Sequence, residues 1–175
     1  DVRLVGSEMC IRDRLLISAF TFNFVIADQG ENDISIYTGT FDVIDKEGDD
    51  QTTLFGIEHK NPNLFRDTFL GKFKPVTGGF MTGDSSIYLY TGVEAQYGIG
   101  PLKILPSFAP GYYEKGDGKD LGSVLEFKSE LKVGLDIFEN SKLSYSYSHI
   151  SNNDWGDTNP GTCLLYTSDA ADDRG

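Results

Sequence analysis

Residues 123–137 read S-V-L-E-F-K-S-E-L-K-V-G-L-D-I. Leu125, Phe127, Leu131, Val133, Leu135 and Ile137 share one parity, while Glu126, Lys128, Glu130, Lys132 and Asp136 share the other. Successive side chains of a strand point to opposite faces, so the pattern predicts one strand with an apolar side and a charged side. At ~3.3 Å per residue it would run roughly 50 Å. Strands of soluble sandwiches usually hold about 5–6 residues, whereas a strand crossing a bilayer needs about 9–11. Length therefore favours a membrane-spanning barrel over a soluble sandwich. In a barrel the charged side fills the lumen and the apolar side meets lipid.

Working outward, the same alternation recurs between clusters of Gly, Asp, Asn and Pro, and no segment carries a helical period. Residues 85–97 repeat it, with Ile87, Leu89, Thr91, Val93, Ala95 and Tyr97 opposite Ser86, Tyr88, Tyr90, Gly92, Glu94 and Gln96. Strands are expected near 33–44, 52–60, 73–82, 85–98, 102–114, 122–138 and 141–151. The fold class is all-β, an antiparallel up-and-down outer-membrane barrel with about seven natural strands in this chain. Tyrosines at 88, 90, 97, 112, 113, 145 and 147 suit interfacial girdles or core packing. With the N-terminus on the periplasmic side, the long connections 115–121 and 152–161 face outward. The connection 61–72 is long where a short turn is expected, and a short interfacial helix around 64–70 would account for it.

The two ends read differently. Residues 8–13 are E-M-C-I-R-D and residues 163–168 are C-L-L-Y-T-S. The DNA AGATGTGTATAAGAGACA encodes the first when entered one base into a Glu codon, and its reverse complement encodes the second in frame. One short element in opposite orientations at both ends is the mark of a translated sequencing-library adapter. Residues 1–14 and 163–175 are therefore set apart as adapter-derived. Residues 15–27, L-L-I-S-A-F-T-F-N-F-V-I-A, read as the remnant of a signal peptide cleaved near Ala27, too short for a helix that spans a bilayer. Residues 28–162 then form a barrel domain without its last strand. Any fold of the whole chain should leave strands one and seven unsealed or recruit an eighth from residue 163 onward.

Both cysteines, Cys10 and Cys163, fall in the set-apart ends, leaving no disulfide framework, thiol nucleophile or cysteine metal site in the natural part. The ends hold three basic and three acidic residues at the start, and one and three at the close. Removing these from the chain's 15 and 27 leaves 11 basic and 21 acidic residues. That acidity argues against nucleic acid as a partner. The expected setting is the outer membrane of a Gram-negative cell, reached by export.

The chain has two histidines. His59 has no suggestive neighbour and reads as structural or interfacial. His149 stands two residues before Ser151, so on a strand both point the same way, about 6.5–7 Å apart at the backbone. Their side chains can close that gap, which would let an imidazole take a hydroxyl proton. The same residues also suit a strand-end turn rich in Ser and Asn. Parity places the pair with Leu143, Tyr145 and Tyr147, on the lipid side. A polar pair there is costly unless it meets headgroups or substrate.

His149-Ile150-Ser151-Asn152, followed by Asn159-Pro160-Gly161, resembles the signature of the outer-membrane lipid A 3-O-deacylase (acyloxyacyl hydrolase) family. Pro106-Ser107-Phe108-Ala109-Pro110-Gly111-Tyr112 resembles that family too, and the likeness extends over much of 33–162. The resemblance implies an eight-stranded barrel with a serine esterase site facing the outer leaflet. It would remove an ester-linked acyl chain from lipopolysaccharide, with no metal or organic cofactor. His149 would be the general base and Ser151 the nucleophile, with Asn152 and Asn159 holding the loop or stabilising the oxyanion. The family's orienting Glu would fall at 163, where this chain has Cys163, and its Ala-Gly pair is Asn153-Asp154 here. Two other readings stand beside this one. The first is a non-catalytic small barrel with a structural or lipid-binding role; the second is a soluble periplasmic sandwich. Trp155, the single tryptophan, suits an interfacial anchor or an acyl-chain contact.

Overall fold

The computed structural model describes residues 33–43, 51–61, 66–68, 71–138 and 141–171. The expected leader and the first set-apart end lie outside the described residues. The strands are β1 (Asp33–Phe41), β2 (Thr52–Lys60), β3 (Arg66–Thr68), β4 (Gly71–Thr82) and β5 (Ile87–Ala95). There follow β6 (Tyr97–Ile99), β7 (Leu102–Glu114), β8 (Leu125–Phe138), β9 (Ser141–Ser151) and β10 (Thr162–Ala171). Eight of them close an antiparallel ring in the order β1-β2-β4-β5-β7-β8-β9-β10, with β10 returning to β1. β6 continues β5 beyond Gln96 and pairs with β7. Pro110 offers no backbone donor, and the β5–β7 ladder is interrupted between Tyr90↔Gly111 and Val93↔Phe108 while keeping one register. The up-and-down barrel expected from the alternation is the fold observed.

Closure comes from residues placed outside the barrel by the sequence reading. β10 pairs with β1 from Ile34↔Ala171 to Phe41↔Leu164, and with β9 from Thr162↔Ile150 to Ala171↔Ser141. Of the two outcomes expected, an open wall or an eighth strand recruited from residue 163 onward, the second is found. Ladder pairing needs only backbone N–H and C=O groups, and an unpaired edge would leave a row of both without partners. The side chains comply as well: Leu164, Tyr166 and Ser168 are buried inside, while Thr167 is exposed outside. The connection expected as a helix around 64–70 is a correction. Arg66–Thr68 is extended and pairs back on Gly71–Phe73, so the chain makes a small β-turnback there. Pairing satisfies backbone groups that an isolated helical turn would leave open.

The wall has the two faces that residues 123–137 promised. Ile36, Phe55, Leu89, Phe108, Leu131 and Tyr145 are each about half exposed on the outside, an apolar belt that only a lipid environment covers. Inside, Glu126, Lys128, Glu130 and Lys132 are buried. Lys132 Nζ lies 2.7 Å from Glu58, 3.2 Å from Glu130 and 3.5 Å from Glu94. Lys60 reaches Glu94 at 2.8 Å, and Lys128 reaches Glu130. Three carboxylates thus face three ammonium groups, which offsets the cost of holding them out of bulk water. Tyr90 donates to Glu58 at 2.7 Å and Tyr166 donates to Glu130. Above this layer, toward the end bearing loops 115–124 and 152–161, Phe41, Leu54, Phe80, Tyr88, Tyr113 and Leu164 pack together. Tyr88, Tyr90 and Tyr113 therefore belong to the interior, not to a girdle; Tyr112 and Tyr145 point outward. The lumen is filled by side chains.

Candidate active site

His149 and Ser151 end β9 on its outer face, and Ser148 and Ile150 between and beside them are buried inside. The parity expected from the sequence is the parity observed. His149 lies across from Ser129 of β8 and Cys163 of β10; Ser151 lies across from Phe127. Cys163 Sγ is 3.5 Å from His149 Nδ1. Residue 163, where the family's orienting acid was expected, thus stands at one ring nitrogen of His149. Gly161 closes the other side of the ring. Its φ is +62°, and a Cβ there would fall 2.9 Å from His149 Cε1. His59 sits apart, exposed on β2 against Ile34 and Thr77.

The loop after Ser151 is braced by the two asparagines. Asn152 is fully buried, and its Nδ2 donates to Leu121 O at 2.9 Å and to Thr158 O at 2.7 Å. Its backbone N–H donates to Asn159 Oδ1 at 3.2 Å, and its carbonyl accepts from Trp155 N at 3.1 Å. Asn159 Nδ2 donates to Asp154 Oδ1 at 3.2 Å. With both amide hydrogens of Asn152 engaged by carbonyls, the bonds present are those of a brace. Asn153 and Asp154 take φ of 55° and 62°, the left-handed region that Asn and Asp enter more readily than other non-glycine residues. The departure from Ala-Gly is accommodated in the backbone.

Of what lies on either side, sequence reasoning singled out Trp155 and missed the rest. Trp155, 70% exposed, meets Phe127 edge-on with centroids 5.2 Å apart, and Phe127 stacks on Phe108 at 5.9 Å. That aromatic row borders Ser151 on the outer wall. On the inner side, the β7–β8 loop folds over the barrel mouth. Tyr113 donates to Lys119 O at 2.8 Å, and Lys119 Nζ reaches Asp42 at 2.5 Å. Thr162 Oγ1 donates to the other oxygen of Asp42 at 3.1 Å. At the loop's crest Asp120 accepts from Gly122 N at 2.9 Å and from Lys115 at 2.8 Å. The Lys115 ammonium holds the Asp120 carboxyl below its ordinary range, and both side chains are exposed. Glycine at 122 was the one available signal: its φ is +87°.

A closed barrel with an apolar outer wall is the build of an outer-membrane protein, and this wall carries an imidazole and a hydroxyl at the end of β9. Residues 53–163 match the family described as lipid A 3-O-deacylase (PagL), and the chain belongs to that family of outer-membrane ester hydrolases. The barrel is similar to the crystal structure of the outer membrane enzyme PagL, with a TM-score of 0.61 at 17% identity, over 80% of this chain and 99% of that one. A de novo designed transmembrane β-barrel gives 0.54 at 12% identity, over 83% of this chain and 98% of the design. At such identities the likeness to both is one of fold. Among curated proteins, none matches this chain.

Proposed function

We propose that His149 and Ser151 carry the family's reaction, cleavage of the 3-O-linked acyl ester of lipid A in lipopolysaccharide. His149 Nε2 takes the Ser151 hydroxyl proton as Oγ attacks the ester carbonyl. The tetrahedral intermediate expels the sugar oxygen, which receives that proton from the imidazolium. Water, deprotonated by the same histidine, then releases the fatty acid and restores the serine. The observation that carries this reading is the placement of both side chains on the lipid-facing wall at the end of β9, with residue 163 against His149 Nδ1. The aromatic row Phe108–Phe127–Trp155 supports it by giving an acyl chain apolar surface beside Ser151.

In this chain the orienting position holds a thiol, and hydrolysis should be feeble or absent. That supports a second reading for the chain as it stands, a barrel that keeps the braced loop for stability. Residues 163–175 as adapter-derived sequence, and export through the segment 15–27, belong to the same proposal. The uncontaminated 3′ end of the gene should encode a Glu within a few residues of Thr162, then an alternating strand ending in an aromatic. The functional test is release of 3-hydroxy fatty acid from lipopolysaccharide by the protein with Glu at 163, abolished by Ser151→Ala. Equal release by the alanine variant would sink the assignment.

A further inference from the structure

The β7–β8 loop is tied to both ends of the segment that bears the proposed site. Leu121 O accepts from the buried Asn152 side chain, directly after Ser151. Lys119 bonds Asp42, which holds Thr162, directly before residue 163. Between these ties the two loops touch backbone to backbone. A Cβ on Gly122 would lie 2.1 Å from Thr158 O, and one on Gly156 would lie 2.4 Å from Gly122 O. Backbone contacts that close leave no room for a side chain, and Gly122 also holds a positive φ. Leu121 is buried in the aromatic cluster, so the loop is anchored from below as well.

We propose that Lys119, Leu121 and Gly122 of the β7–β8 loop act as positioning residues that fix the Ser151–Asn152 corner relative to residue 163. This rests on the reading of Ser151 as nucleophile and adds to it a second loop on which the reaction depends. Asn152 opens loop 152–161 and Thr162 follows it as the first residue of β10, and the single span Lys119–Gly122 bridges them, reaching Thr162 through Asp42. Moving that span displaces the nucleophile against the imidazole, and a misplacement of about 1 Å costs roughly a hundredfold in rate.

The test uses full-length protein carrying Cys163→Glu, alone and with Gly122→Ala, Lys119→Met or Lys119→Arg. Turnover of lipopolysaccharide is measured together with the emission of Trp155, the chain's single tryptophan, which sits in loop 152–161. Gly122→Ala and Lys119→Met are expected to lower kcat by about a hundredfold with KM within about threefold. They should also shift Trp155 emission, while Lys119→Arg restores both readouts. Heat-modifiable gel mobility reports the closed barrel in every variant. Unchanged emission and unchanged kcat in both Gly122→Ala and Lys119→Met overturn the proposal, as does a lost kcat with unchanged emission. If neither Cys163→Glu nor Cys163→Asp releases fatty acid, the catalytic assignment fails. The emission of Gly122→Ala and Lys119→Met then decides the coupling of the loops alone.

Discussion

Cys163→Glu is the substitution that asks most of the site. Cys163 is 2% exposed, and its sulfur lies 3.5 Å from His149 Nδ1. A thiol is ordinarily protonated at neutral pH. An S–H donating to Nδ1 leaves the ring proton on Nε2, where it blocks acceptance of the serine proton. A carboxylate accepts from Nδ1–H instead, which frees Nε2 and stabilises the imidazolium formed during attack. In serine hydrolases the wrong tautomer costs about 10⁴-fold in kcat, or roughly 5 kcal/mol. Against this stands packing: a larger side chain in a filled site costs about 1–3 kcal/mol of stability. Gly161 lies against the ring, so a longer side chain must bend to seat its oxygen. Cys163→Asp, whose oxygen reaches little beyond the sulfur, is the geometric control. We expect one or both variants to exceed the parent by between about 10²- and 10⁴-fold at pH 7. The assay is mass-spectrometric detection of 3-hydroxy fatty acid freed from lipopolysaccharide, with Ser151→Ala added as the blank. Both variants folded, and both no faster than parent and blank, would refute the reasoning.

Three further outcomes follow from the packing. His149→Gln in the Cys163→Glu background should reduce release to the level of Ser151→Ala while heat-modifiable mobility is kept, because the two residues act as one unit. Asn152→Ala strands Leu121 O and Thr158 O, and should cost about 2–6 kcal/mol at roughly 1–3 kcal/mol per orphaned group. A urea titration of the detergent-folded barrel checks it, and an unmoved midpoint would contradict the brace. Lys132→Met leaves Glu58, Glu94 and Glu130 short of a partner and should destabilise by about 3–5 kcal/mol, read in the same titration.

Much of the wall was legible because lipid and lumen impose a strict period of two. The run from Leu125 to Leu135 alternates between exposed apolar and buried charged or small residues over nearly all of its length. The same parity carried His149 and Ser151 to the outside. The tyrosines were harder: an amphipathic ring suits both a rim and a core, and only the packing of Tyr88 on Phe80 and Tyr90 decides it. The 66–68 turnback carries no alternation long enough to read. β10 was expected only as one of two outcomes because its residues were assigned by origin, whereas an edge accepts any chain that offers backbone groups in register. The tie from Lys119 through Asp42 to Thr162 joins positions 77 and 120 apart in sequence, and no local spacing announces such a contact.

The filled lumen has a kinetic meaning. With Glu58, Glu94 and Glu130 paired to Lys60, Lys128 and Lys132 in the lumen and Leu121 buried above them, the proposed site on the outer wall opens sideways, toward lipid. A substrate arrives by drifting within the leaflet, so the encounter is two-dimensional. Turnover should then follow the mole fraction of lipid A among surrounding lipids and be indifferent to its concentration in the bulk suspension. Dilution into inert phospholipid would slow the enzyme; dilution into buffer would leave it unaffected.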